Sequence, residues 1–170
     1  HYKFIVGTST ALTYAKEYIR EILDRKDSYE FYNEDYELYV FTKTIAWDYE
    51  QKRPYKGDVI KDDRRMYLHL YYNPDKQVDD GKGFNRRLNT WKQELQSGKR
   101  VPEHEKYYKK YFVIKETPKR GISITIRQDE IDKTRERYGF FVLLSNEVKD
   151  PLTALSLYRT RDVVEKAFWD

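Results

Sequence analysis

The sequence predicts an α+β protein, mainly antiparallel β-strands with flanking helices. Three observations predict it. Several segments alternate side-chain character with period two, as strands do. These segments return through short turn signals such as Pro118-Lys-Arg-Gly121, with few helical crossovers between them, which is the pattern of antiparallel pairing. Other segments repeat apolar residues at helical spacing, and the last of them has an unusually clear start.

Residues 2–7 read as a short apolar strand. Ser9 or Thr10 can cap a following helix whose stripe, Ala11, Leu12, Ala15, Ile19, Ile22 and Leu23, closes near Asp24. Ser28 to Tyr36 is acidic and aromatic and favours neither period. Leu38 to Trp47 alternates as a strand, whereas Asp48 to Asp63, with Arg53-Pro54 and Lys56-Gly57, reads as an exposed connection. In the strand Met66 to Tyr72, Met66, Leu68, Leu70 and Tyr72 face one way and Tyr67, His69 and Tyr71 the other. Asn73-Pro74-Asp75 turns the chain, and Phe84, Leu88, Trp91 and Leu95 mark a helix closing near Ser97-Gly98. Strands follow at Tyr111–Thr117, Ile122–Arg127 and Tyr138–Leu144. The final helix starts with Asp150, whose carboxylate can accept backbone N–H groups, and Pro151, which fits the first position because no donor is needed there.

A chain of 170 residues suffices for one domain, or one with an appended element, and for a real core. It does not begin with Met and ends one turn past Glu165, so it reads as a piece of a longer protein. The absence of a signal peptide and of any long apolar run argues against secretion and membrane spanning. The absence of cysteine removes disulfides, thiolate metal sites and Cys nucleophiles, and agrees with a cytoplasmic location. Thirty-three Lys and Arg against 29 Asp and Glu give a net charge of +4, which hides an asymmetry. Asp27 to Asp63 holds ten acids and five bases; Lys76 to Lys110 holds ten bases and five acids. Such a basic stretch is either solvated surface or a phosphate-contacting face. His1, His69 and His104 show no ligand spacing, and there is no phosphate-binding glycine loop, dinucleotide motif or nucleophile elbow.

The densest cluster of chemistry is Tyr158-Arg-Thr-Arg161-Asp-Val-Val-Glu165. At about 100° per residue, Arg161 falls about 60° from Tyr158 and Glu165 about 20° from it. A phenol, a guanidinium and a carboxylate therefore share one helical face. A carboxylate can hold a divalent metal, and an Arg can clamp a phosphate in a fork. The plainer alternative is a surface ion pair at i,i+4 beside a tyrosine at the edge of a core.

With its flanks, Tyr138-Gly-Phe-Phe-Val-Leu-Leu-Ser-Asn146, Asp150-Pro-Leu and Leu155 to Phe168, this segment resembles the DDE-class insertion-sequence transposases. The group in question has the signature Tyr, two residues, Arg, three residues, Glu, six residues, Lys. Tyr158, Arg161 and Glu165 match its first three positions, and the Lys would fall two residues beyond Asp170. Tyr2-Lys-Phe-Ile-Val-Gly7 looks like the core strand that follows the second catalytic Asp of that family. Asp162 departs from the pattern, which often has a large aromatic there.

The resemblance implies an RNase H-like core, of which only the last strand and the catalytic-Glu helix are present, interrupted by a β-rich insertion. The expected divisions are 1–24 for the last core strand and its helix, 25–146 for the insertion and 147–170 for the signature helix. It implies Glu165 as the third catalytic acid and a metal ligand, with Tyr158 and Arg161 as DNA-binding residues at the transposon end. The implied cofactor is Mg²⁺ or Mn²⁺ in the full-length parent, held by three carboxylates, with none expected on this piece alone. Transposon-end DNA and a second copy, as a homodimer, are the implied partners. Whether this chain counts as an enzyme stays open, because a piece with one of three acids would be catalytically incomplete. Asp75, Asp129 and Asp132 read as solvated residues in turns or linkers, not as the missing acids. Trp47, expected at a strand end, and Trp91, expected in a core, are the insertion aromatics that could stack on a base. The rival function is a non-catalytic module that binds nucleic acid or protein through one of the charged stretches.

Overall fold

A computed structural model describes the backbone of residues 3–52 and 59–169 and the side chains of 3–47 and 64–161. Over the described residues the protein is α+β, with five α-helices and antiparallel sheets, and it forms two compact units, residues 1–73 with 140–170 and residues 74–139.

The first unit is built on a five-stranded sheet in the order β1-β7-β4-β3-β2, every neighbouring pair antiparallel. Its strands are β1 (Ile5–Thr8), β2 (Tyr32–Asn33), β3 (Leu38–Lys52), β4 (Val59–Tyr72) and β7 (Phe140–Ser145). Helix α1 (Thr13–Ile22) contributes Ala15, Tyr18, Ile19 and Ile22 to one core, together with Phe41, Ile45, Leu68, Leu70, Tyr72, Phe140, Val142 and Leu144. Helix α5 (Pro151–Trp169) contributes Ala154 and Leu155 to a second core with Leu38, Tyr71, Leu143 and Val148. Successive residues of β4 and β7 thus enter opposite cores, as strand periodicity requires. Helices cover both faces, so β7, Phe140–Ser145, buried on both sides, reads as a nearly unbroken apolar run. Burial of each fully enclosed Leu, such as Leu68, Leu70 or Leu143, contributes about 1.5–3 kcal/mol.

Several expectations are corrected here. The connection expected over 48–63 is largely strand. The β3–β4 ladder continues through Asp48↔Asp63 and Glu50↔Lys61 to Lys52↔Val59, leaving 53–58, with its Pro and Gly signals, outside the described residues. Trp47 therefore sits within β3, opposite Arg64, and not at a strand end. Neither Ser9 nor Thr10 caps α1, which begins at Thr13; Ser9 Oγ instead accepts the Ala11 N–H at 3.0 Å in the preceding turn.

The second unit holds α2 (Pro74–Ser97), α3 (Glu105–Tyr111), α4 (Gln128–Arg135) and the hairpin β5 (Phe112–Thr117) with β6 (Gly121–Ile126). The turn expected at 73–75 is the start of α2, with Pro74 in the first helical position, where it costs no hydrogen bond. The hairpin turn lies where expected, and Gly121 takes φ +69°, which a side chain would resist. Asp75 and Asp129 lie in the first turns of α2 and α4, and Asp132 on α4, so they stand on helices and not in turns or linkers; all three are exposed.

The β1 strand hydrogen-bonds β7 along Ile5↔Ser145 to Thr8↔Val142. The boundaries of the compact units thus differ from the divisions at 24/25 and 146/147.

Candidate functional site

The signature helix is fastened at its start by an exposed cap and by buried polar groups. Asp150 Oδ2 accepts the Thr153 N–H at 2.9 Å and the Thr153 hydroxyl at 2.7 Å, the N-cap expected from the sequence. Those hydrogen bonds hold its carboxyl below the usual aspartate range. The Tyr71 hydroxyl donates to the Pro151 carbonyl at 2.6 Å, and burial pushes its ionisation upward. His69, fully buried, places Nε2 2.8 Å from the Val148 carbonyl and Nδ1 2.9 Å from Thr42 Oγ1. A carbonyl only accepts, so Nε2 carries the hydrogen and Nδ1 of the neutral ring accepts from Thr42. Burial lowers the His69 pKa, so the neutral form is favoured. Ser145 Oγ accepts the Val148 N–H at 3.0 Å and donates to the Phe4 carbonyl at 2.8 Å. Phe4 N–H in turn reaches Asn146 Oδ1 at 3.0 Å.

From this anchored start α5 runs over β1. Tyr158 is half-buried against the second core. Its hydroxyl occupies the space above Gly7, where a Cβ would come within 2.8 Å of Tyr158 Oη. One turn later, exposed Arg161 directs Nη1 to the Ile5 carbonyl at 3.5 Å, a long contact. Gly7 and Ile5 are alternate residues of one strand, so Tyr158 and Arg161 both reach β1. Arg159 lies on another side of the helix, its guanidinium 5.1 Å from the Tyr36 ring centroid.

The structure therefore brings Tyr158 and Arg161 together. The helix is continuous through position 165, but the Glu165 side chain lies outside the described residues, as does His1. Among the described residues, no three His, Asp or Glu side chains gather as metal ligands. Trp47 packs on the α1 side of the sheet, 5.3 Å from the Tyr14 ring, and so away from the face that carries Tyr158. Trp91 is 5% exposed in the core of the second unit, as its place on the apolar stripe indicated.

Sequence reasoning missed Gly7 as the residue that makes room for Tyr158, and His69 and Tyr71 as fasteners of α5. The only local signal was the strand alternation that put His69 and Tyr71 on one face. Among the described residues, no helix is long and apolar enough to cross a membrane. No protein-family model, curated protein or solved structure matches the chain.

Proposed function

We propose that this chain is part of a DDE-class transposase that cuts and joins DNA at transposon ends by metal-dependent phosphoryl transfer. In this reading β1 is the last strand of an RNase H-like core, α5 is its acid-bearing helix, and Glu165 is the third catalytic carboxylate. Arg161 and Tyr158 contact the phosphates of the transposon end, and the metals and the other two acids belong to the longer parent, which acts as a dimer. One observation carries the reading. The two chain segments that bear the resemblance are packed on each other, with Tyr158 against Gly7 and Arg161 on the Ile5 carbonyl 156 residues away in sequence.

The test is donor-DNA cleavage with Mg²⁺ by the full-length protein, wild type against Glu165→Gln, with end binding followed in parallel. The expected result is loss of cleavage with end binding largely intact, because the substitution removes a metal-holding charge and keeps the shape. Equal cleavage by both would make the Tyr-Arg-Glu face structural.

A second reading, a nucleic-acid-binding module without catalysis, is favoured by the charge of residues 74–139. That unit has 17 Lys and Arg against 11 Asp and Glu, a net +6, while the rest of the chain is net −2. Binding to duplex DNA of any sequence, weakening steeply with salt and indifferent to Glu165→Gln, would select it.

A further inference from the structure

The second unit contains a cavity of about 600 Å³ between α2 and α3, lined also by Thr134 of α4. That size lies within the range of about 300–1,000 Å³ typical of small-molecule sites. Its wall is aromatic and stiff. Trp91 stacks on Tyr107 with ring centroids 4.5 Å apart and planes 13° apart, and on Tyr111 at 5.7 Å and 3°. Two guanidiniums, of Arg86 and Arg87, line the same cavity. Both side chains are exposed, and among the described residues neither has a carboxylate partner. Two other cations of this unit are ion-paired outside the cavity, Arg100 with Glu105 at 2.7 Å and Lys76 with Asp80 at 2.6 Å. The ring of Phe84 lies 5.7 Å from the Arg87 guanidinium and so limits where that group can turn.

His104 completes the set. Its Nδ1 lies 2.7 Å from Glu94 Oε1, and the same oxygen accepts the Tyr108 hydroxyl at 2.6 Å. A carboxylate only accepts, so Nδ1 carries the hydrogen and the ring orientation is fixed. Nε2 is left without a partner among the described residues, on a side chain that lines the cavity. Two unpaired guanidiniums and an oriented imidazole around an apolar wall suit an anion carried on an apolar, flat body. Arginine recognises phosphate through paired N–H groups, which makes phosphate the best match among common anions.

We propose that this cavity binds a phosphate ester of the nucleotide class. Its phosphate lies on Arg86, Arg87 and His104 Nε2, and its base lies against the Trp91–Tyr107 wall. The ligand is a free nucleotide or one nucleotide unit of a single strand, which present the same chemistry. The site is within residues 74–139 and does not rest on the role given above to α5.

Calorimetric titration of the full chain with AMP, an eight-residue oligothymidylate and inorganic phosphate tests it. Binding of AMP or the oligonucleotide is expected, and the stronger of the two identifies the source. The Arg86→Gln/Arg87→Gln variant should bind about tenfold more weakly or worse, as expected for lost charge-assisted hydrogen bonds. Lys119→Gln/Arg120→Gln, which removes equal charge at the β5–β6 turn, should change affinity by less than about twofold. The bound nucleotide should also shift the His104 side-chain nitrogen resonances while leaving those of buried His69 unchanged, a readout that needs no variant. Absence of binding by the wild type, equal losses in the two variants, an unmoved His104, or inorganic phosphate bound as tightly as the nucleotide would each overturn the assignment.

Discussion

Replacing Gly7 by alanine puts a methyl carbon 2.8 Å from Tyr158 Oη, 3.4 Å from Cζ and 3.7 Å from Cε2. The first distance is well inside van der Waals contact, so Tyr158 or β1 must move. Overpacking of this kind costs about 1–3 kcal/mol. The atom displaced is the far end of a half-buried side chain, which places the cost toward the lower end. Against it stands the smaller conformational freedom that alanine brings to the unfolded chain, worth about 0.4–1 kcal/mol. The net expectation is a loss of about 1 kcal/mol in the first unit. In a Tyr158→Phe background the offending oxygen is gone and the nearest atom lies at 3.4 Å, an ordinary if close contact. There the same Gly7→Ala change becomes neutral or stabilising by up to about 1 kcal/mol. The two backgrounds therefore differ by about 1–2 kcal/mol, a coupling of the size that contacting residues show. Hydrogen exchange of the β7 amides in wild type, both single variants and the double variant reads the opening free energy of this unit alone. An equal effect of Gly7→Ala in both backgrounds would refute the seating of Tyr158 on Gly7, and with it the register of α5 over β1.

His69→Leu leaves the Val148 carbonyl and the Thr42 hydroxyl without their partner and should cost about 1–3 kcal/mol near pH 7.5. The folded-state pKa of His69 is lowered by burial, so its contribution is fully present above the unfolded value of about 6.5 and is lost as pH falls from there through the folded value. Wild-type urea midpoints should therefore decline below that pH, and the decline should flatten in the variant. Asp150→Ala removes the acceptor of two Thr153 hydrogen bonds and should cost about 0.5–2 kcal/mol, seen as a lower Tm and faster exchange in the first turn of α5. Arg161→Gln should weaken transposon-end binding by the full-length protein and reduce its salt slope by about one charge; an unchanged slope would remove Arg161 from the DNA contacts.

The parts of the fold that the sequence made legible are those decided by side-chain direction alone. Met66 to Tyr72 alternates between the two cores as read, and Asp150-Pro151 starts α5 through a hydrogen bond made within four residues. The parts it hid depend on neighbours. Pro74 to Gly83 carries no apolar stripe, and Val78 is 55% exposed, so that half of α2 is helical by extension from the packed half. Helix α3 is rich in Tyr, which strand propensity also favours, and it is the stacking of Tyr107 and Tyr111 on Trp91 that decides for helix. The outer β3–β4 ladder pairs Asp48 with Asp63, a like-charge register that gave no strand signal. For the candidate sites the same division holds. Helical spacing placed Tyr158 and Arg161 on one face, but nothing local announced that this face would meet β1. The cavity residues Arg86 and Arg87 come from α2 and His104 from the residue just before α3, and the carboxylate that orients His104 lies ten residues before it.

Tyr158 and Arg161 do not bear equally on function. Tyr158 fills the space over Gly7 and joins the core that anchors α5, so any truncation of it changes packing whether or not DNA is touched. A loss of end binding in a Tyr158 variant thus has two explanations of similar size. Arg161 is exposed, and its contact to the Ile5 carbonyl is long, at 3.5 Å. Its removal takes away one positive charge, and the salt slope reads charge directly. Arg161 is therefore the residue whose substitution separates a DNA-contacting face from a structural one, while the Gly7–Tyr158 pair tests only the geometry that presents it.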